Sequence, residues 1–330
     1  MSRRTRVAAE AIASAVILAA LLWLSDPRKI WDTLSGADGS WVLGAIVVNT
    51  LTVPLMAFRW KLLLSAKGIH DVSTAWLTRT YFVALFAGQF LPAAIGGDAV
   101  RAVELGRRTE DAPEAVASVL IDRLVGVVSL VALALIAFTL GGHAAGGVEV
   151  VLAEAAFGLA AVAILGLLFS PGLRGLAARY LEPRVEGRQL AAGQRFYDAL
   201  HSYREHRSVL AAVFALALVV QFARMGTIWM LVKALGLDGP GGVQLSEVFA
   251  VGPVLFAALI LPVSLNGIGV REAVFVYLLR DSTTTSEAFA LGVAFFAVGA
   301  ATALVGALIL GLRLVRYGAE AVRPRTRIEE

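Results

Sequence analysis

Apolar runs set the elements of this chain. Residues 7–24, 41–58, 116–140, 148–169, 209–232 and 288–312 are each long enough to cross a bilayer as a helix. Two further apolar stretches break off early. Residues 80–95 are short for a crossing and end at Leu91-Pro92, and residues 246–279 are interrupted at Leu261-Pro262. The pattern predicts roughly six full spans with two re-entrant or half-helical segments, an all-α polytopic integral membrane protein. Pro54 is expected to kink the second span.

The two breaks are alike. Leu91-Pro92-Ala93-Ala94-Ile95-Gly96-Gly97-Asp98-Ala99-Val100-Arg101 and Leu261-Pro262-Val263-Ser264-Leu265-Asn266-Gly267-Ile268-Gly269-Val270-Arg271 share Leu, Pro, Gly, Val and Arg at matched places. Three spans lie between them, and an odd number inverts one break relative to the other. This predicts one transmembrane domain over 1–330, with inverted-topology halves at 41–169 and 209–312. Residues 170–208 form a basic connector, in which Leu190, Phe196, Leu200 and Tyr203 recur at helical spacing among Arg188, Arg195, Arg204 and Arg207. It reads as an amphipathic helix lying on the cytoplasmic leaflet.

Composition agrees with the pattern, since 58% hydrophobic and 16% charged residues with a mean hydropathy of +0.77 cannot cover a water-soluble surface. The net charge of +4 sits mostly in loop arginines, so it reads as topology and not as nucleic-acid binding. Basic residues put both termini, the segment 59–67, Arg107-Arg108 and 174–207 on the cytoplasmic side of the inner membrane, and the loops around Asp38, His143 and Asp238 outside. The run 7–24 is longer than a signal-peptide core and lacks a small-residue cleavage site, so it is read as a retained first helix. The absence of cysteine excludes disulfides and thiolate metal sites.

Charges within apolar sequence are the candidate chemistry. Gly96-Gly97-Asp98 reads as a turn and N-cap for a helix over 100–105, bringing free backbone N–H groups and Arg101 together at the break. Asn266-Gly267 would do the same for a helix over 272–279, with Arg271 in its first turn beside Glu272. A half-helix N-terminus with an arginine favours a phosphate or carboxylate. Ion pairs of Asp98 with Arg101 and of Arg271 with Glu272 would instead only hold the broken helices, and Asp98 could be a cap, a salt-bridge partner or a proton site. Asp122 and Arg123 lie about two turns inside their span, where they read as an internal ion pair, while Gln221 and Arg224 near mid-span read as lining a hydrated cavity. No HExxH pair, GxSxG elbow, Asp-rich cluster or P-loop is present, and His70, His143, His201 and His206 fall in loops or interfacial segments. We therefore expect no catalytic residue, metal or cofactor.

Phe58-Arg59-Trp60-Lys61-Leu62-Leu63-Leu64, the run from Gly88-Gln89-Phe90-Leu91-Pro92 to Arg101, Asp122-Arg123-Leu124, and Leu261-Pro262 with Asn266-Gly267-Ile268-Gly269-Val270-Arg271-Glu272 resemble the transmembrane, flippase-like domain of lysylphosphatidylglycerol synthases over nearly the whole chain. The resemblance implies inverted repeats with re-entrant helices and an association with moving lipids between leaflets. The soluble lysyl-transfer domain of the bifunctional members is not expected here, since the chain ends soon after the last apolar run. The expectation is a lipid flippase or transporter of the cytoplasmic membrane, not an enzyme. Its partner would be a membrane phospholipid or polyprenyl-linked lipid with an anionic headgroup, engaged by Arg101 and Arg271 from opposite-facing half-sites. Alternatives are an accessory protein of cell-envelope lipid or glycoconjugate synthesis, acting as a homo-oligomer or with a synthesis partner, and, with least support, an intramembrane lipid-modifying enzyme.

Overall fold

The computed structural model describes residues 3–89, 96–139, 156, 158–159, 163, 188–260 and 264–317. They form eleven principal α-helices: α1 (Arg3–Leu24), α2 (Pro27–Ser35), α3 (Gly39–Ala66), α4 (Thr74–Gly88), α5 (Gly96–Thr109), α6 (Ala112–Thr139), α7 (Arg188–Ser202), α8 (Arg207–Ala234), α9 (Leu245–Ile260), α10 (Val270–Leu278) and α11 (Thr285–Tyr317). No strand occurs among the described residues. Several helices start on capping residues: the Asp26, Asp38 and Ser73 side chains accept from the amides of Arg28, Ser40 and Trp76. The Ser40 hydroxyl and amide also hold the Asp38 carboxyl below its usual range.

Helices α3, α6, α8 and α11 are long and apolar enough to cross a membrane, and less than half of each apolar window is buried within the protein. The remainder forms outward stripes such as Leu43, Val47 and Leu51 on α3 and Leu304, Leu308 and Leu312 on α11, all exposed. In water such stripes would be a severe cost; against lipid tails they cost nothing. The expected first span lies within α1, the helix passes through Pro54 unbroken, and the expected span at 148–169 and the Gly-rich turn before it lie outside the described residues.

The two broken segments are antiparallel hairpins. In the first, α4 returns as α5: Gly97 abuts Ala84, Arg101 lies on the Tyr81 ring and Arg108 on the Trp76 ring, so pairs move outward from the break. In the second, α9 returns as α10: Gly267 abuts Leu259, and Ser282 donates to Glu247 Oε1 at 2.5 Å. Both Leu-Pro steps, Leu91-Pro92 and Leu261-Pro262, fall outside the described residues.

Contacts at the helix ends fix the orientations. The Asp38 amide donates to the Ala234 carbonyl at 2.8 Å, joining the start of α3 to the end of α8. Lys67, just past α3, donates to the Ser202 hydroxyl ahead of α8 and lies 3.6 Å from Glu114 at the start of α6. Helices α3 and α8 therefore run antiparallel along their packed length. Helix α11 begins beside α2, where Asp26 N donates to Ser286 Oγ at 2.9 Å, and ends where Arg313 lies 3.6 Å from Glu104 of α5. The order span, hairpin, span thus occurs twice, as α3–α6 and as α8–α11, in opposite orientation, with the hairpins inserted from opposite ends. Packing follows the same correspondence: α4 lies on α11 as α9 lies on α6, and α3 lies on α11 as α8 lies on α6.

The connector differs from expectation. Helix α7 is amphipathic, but Leu200 and the following Tyr203 are buried against Leu63 of α3, Ile121 of α6 and Val213 of α8, with Phe196 packed alongside. Tyr203 donates to Glu114 at 3.1 Å. Among the described residues, its apolar side is thus covered by the ends of α3, α6 and α8. The Leu190 side chain lies outside the described residues.

Candidate functional site

The tips of both hairpins reach one half-open cavity of about 400 Å³, walled by α3, α6, α8 and α11. Asn266 Nδ2 donates to Gln89 Oε1, joining the second break to the residue that ends α4. Asn266 adopts a left-handed conformation (φ 49°, ψ 29°), and Gly267 and Gly269 follow with φ of 74° and 86°. Asparagine tolerates this region better than other side chains, so the turn needs these residue types. Asn266→Ala is expected to be about 1–2 kcal/mol less stable than Asn266→Gly in thermal unfolding of detergent-purified protein, since both lose the Gln89 bond and only alanine retains the backbone strain.

On the side of the first hairpin, Asp122 of α6 is a buried hub. Arg59 Nε donates to its Oδ1 at 2.7 Å, and Arg101 Nη2 and the Tyr81 hydroxyl donate to its Oδ2 at 2.9 and 2.6 Å. Asp98 is a second hub, receiving Arg101 Nη1 at 3.2 Å and Arg123 Nη1 at 2.6 Å. The Arg101 guanidinium also lies 4.3 Å from the Trp60 ring and 3.8 Å from the Tyr81 ring, in the corner that these two perpendicular rings make. Gly97 permits the hairpin to close, since a Cβ there would stand 3.0 Å from the Ala84 carbonyl oxygen.

The second hairpin is less provided with acids. Arg271 is 5% exposed and lies 4.8 Å from the Phe296 ring; its Nε is 3.5 Å from Glu272 Oε1, and neither its Nε nor its Nη2 has a hydrogen-bond partner. Glu272 uses Oε2 to accept from the Gly269 amide at 2.7 Å, capping α10. Arg224 on α8 rests 4.9 Å from the Phe256 ring and 3.8 Å from Met56 Sδ. Gln221, one turn earlier, donates to the Gly126 carbonyl at 3.1 Å.

All the residues nominated from the sequence line this cavity except Gly96 and Glu272, which stand in the first turns of the returning helices α5 and α10. Three local readings change. Helix α5 already begins at Gly96, so Asp98 sits inside its first turn and serves arginines instead of capping. The N-cap of α10 is Gly269, which frees Asn266 to bridge the hairpins. Asp122 pairs with Arg59 and Arg101, and Arg123 with Asp98, because adjacent helical residues point in different directions. Arg59, Tyr81, Gln89 and Ser264 also line the cavity and were not nominated. Arg59, expected in the cytoplasmic segment 59–67, instead lies buried within α3 and reaches Asp122.

An all-helical polytopic membrane protein with two oppositely inserted hairpins around an arginine-lined cavity is the class that this fold and site define. The chain belongs to the lysylphosphatidylglycerol synthase TM region family, whose profile matches residues 11–306. Among curated relatives it is similar to glycosyltransferase AglD of Haloferax volcanii, at 27% identity over 373 aligned positions covering 100% of this chain and 58% of that protein. It is also similar to a UPF0104 membrane protein of Methanothermobacter thermautotrophicus, at 25% identity over 285 positions covering 79% of this chain and 81% of that one. The chain thus spans little more than half the length of the glycosyltransferase.

Proposed function

We propose that the protein carries an anionic, phosphate-bearing lipid between the leaflets of the cytoplasmic membrane, the headgroup occupying the central cavity, and that it performs no chemistry on it. The observation that carries this reading is the charge of the cavity. Arg59, Arg101, Arg123, Arg224 and Arg271 line it against the carboxylates of Asp98 and Asp122, where hairpins inserted from opposite ends meet. Oppositely oriented units that meet at a buried site suit alternating access by rocking of one unit on the other. The relation to a protein named a glycosyltransferase favours a second reading, in which the chain serves glycoconjugate synthesis and works beside a partner.

Transbilayer movement of labelled anionic lipid in proteoliposomes separates them. Wild type is expected to move the lipid at least about tenfold faster than protein-free vesicles, and an Arg224→Gln/Arg271→Gln variant with wild-type thermal stability is expected to lose that excess, one tenfold step corresponding to ~1.4 kcal/mol. Well-folded protein that moves no anionic lipid, and that co-purifies with a synthesis enzyme, would sink the first reading and favour the second.

A further inference from the structure

The two units carry matched arginines but unmatched acids. Arg101 on α5 and Arg271 on α10 follow the two breaks, and the first long helix of each unit adds one more, Arg59 on α3 and Arg224 on α8. The eleventh residue of α6 is Asp122, which binds both arginines of its unit. The eleventh residue of α11 is Phe295, and the next, Phe296, is the ring beside Arg271. Where the first unit has a carboxylate, the second has aromatic faces. A ring face offsets part of a buried guanidinium's charge but accepts few of its hydrogen bonds. Two buried N–H-bearing atoms of Arg271 therefore remain without acceptors, and Arg224 has no carboxylate within 4.0 Å among the described residues. Leaving such donors unmet carries a desolvation penalty that a ligand's oxygens would recover.

The charge of the site indicates which oxygens. Arg224 and Arg271 with Glu272 carry an excess of one positive charge, and Arg59, Arg101 and Arg123 with Asp98 and Asp122 carry another, so a headgroup on Arg224 and Arg271 meets an excess of two across the shared cavity among the described residues. A phosphodiester supplies one negative charge, whereas a phosphomonoester supplies about 1.5 to 2 near neutral pH and a diphosphate bridge supplies two. We propose that Arg224 and Arg271 form the headgroup site, that it selects a doubly charged phosphate group over a phosphodiester, and that Arg59, Arg101 and Arg123 anchor the first hairpin. This rests on the reading of the cavity as a lipid-carrying site.

The test uses the full chain in nanodiscs of zwitterionic lipid doped with phosphatidate, a monoester, or phosphatidylglycerol, a diester, with retention read by native mass spectrometry. Phosphatidate is expected to be held about tenfold more tightly, a difference of ~1.4 kcal/mol. Arg224→Gln and Arg271→Gln should each reduce its retention to the diester level, and Arg271→Lys should keep part of it. In wild type, lowering the pH from 8 to 5 passes the monoester's second ionisation at about 6 and should weaken phosphatidate but not phosphatidylglycerol; this readout needs no variant. Inorganic phosphate should compete poorly, and competition equal to that of the lipid would point to free phosphate as the ligand and overturn the lipid assignment. Equal retention of the two lipids, or a monoester preference that persists at pH 5 or in both glutamine variants, overturns the charge assignment. If phosphatidylglycerol still crosses proteoliposomes in that case, the carrier reading stands without it; if no anionic lipid is retained or moved, both fall.

Discussion

Asp122→Ala is expected to destabilise the protein by about 3–5 kcal/mol, the range for removing one partner of a buried charge network. The carboxylate is 1% exposed and holds Arg59, Arg101 and the Tyr81 hydroxyl at once. Its loss leaves two guanidinium groups facing each other in a nearly dry site, each retaining its desolvation cost. Arg101→Ala should be milder, because Asp122 keeps Arg59 and Tyr81, and Asp98 keeps Arg123. Thermal unfolding in detergent, with yield in membranes as a second readout, checks the order. An Asp122→Ala protein as stable as wild type would mean that the network contributes little and that Asp122 is free for another role.

Gly306→Ala is expected to cost about 1–3 kcal/mol, and Gly306→Val more, by overpacking. A Cβ at Gly306 of α11 would stand 2.0 Å from the Phe82 carbonyl oxygen and 2.6 Å from its carbon, both backbone atoms of α4. No rotamer change relieves that contact, so α4 and α11 must move apart, and this crossing ties the first hairpin to the opposite unit. Gly311→Ala on the same helix is the control. Nothing lies within 4 Å of its Cβ, so it should be neutral or slightly stabilising through helix propensity. Equal unfolding temperatures for the two alanine variants would show that the helices separate at no cost.

Much of the architecture could be read from the chain because membrane-spanning helices announce themselves locally, by twenty or so consecutive apolar residues. The hairpins were legible for the same reason, since Leu-Pro and Gly-Gly steps interrupt apolar runs of the wrong length for a crossing. The cavity's arginines stood out as charges in apolar surroundings. Their partners did not, because they are set by tertiary packing: Arg59 and Asp122 are sixty-three residues apart, and Asn266 and Gln89 one hundred and seventy-seven. Asp98 with Arg101, at helical i,i+3 spacing, and the neighbours Arg271 and Glu272 could be paired from sequence alone. The same limit explains α7, whose apolar stripe was visible while the surface it covers was not. The difference in charge between the units was also hidden, since it depends on which helix positions stand level across the fold.

The bond between the hairpin tips joins two side-chain amides, Gln89 and Asn266, and neither gains or loses a proton across the physiological range. That joint is consequently indifferent to acidity, holding equally well at either face whatever the proton gradient. Any response of the protein to that gradient must therefore originate away from this joint.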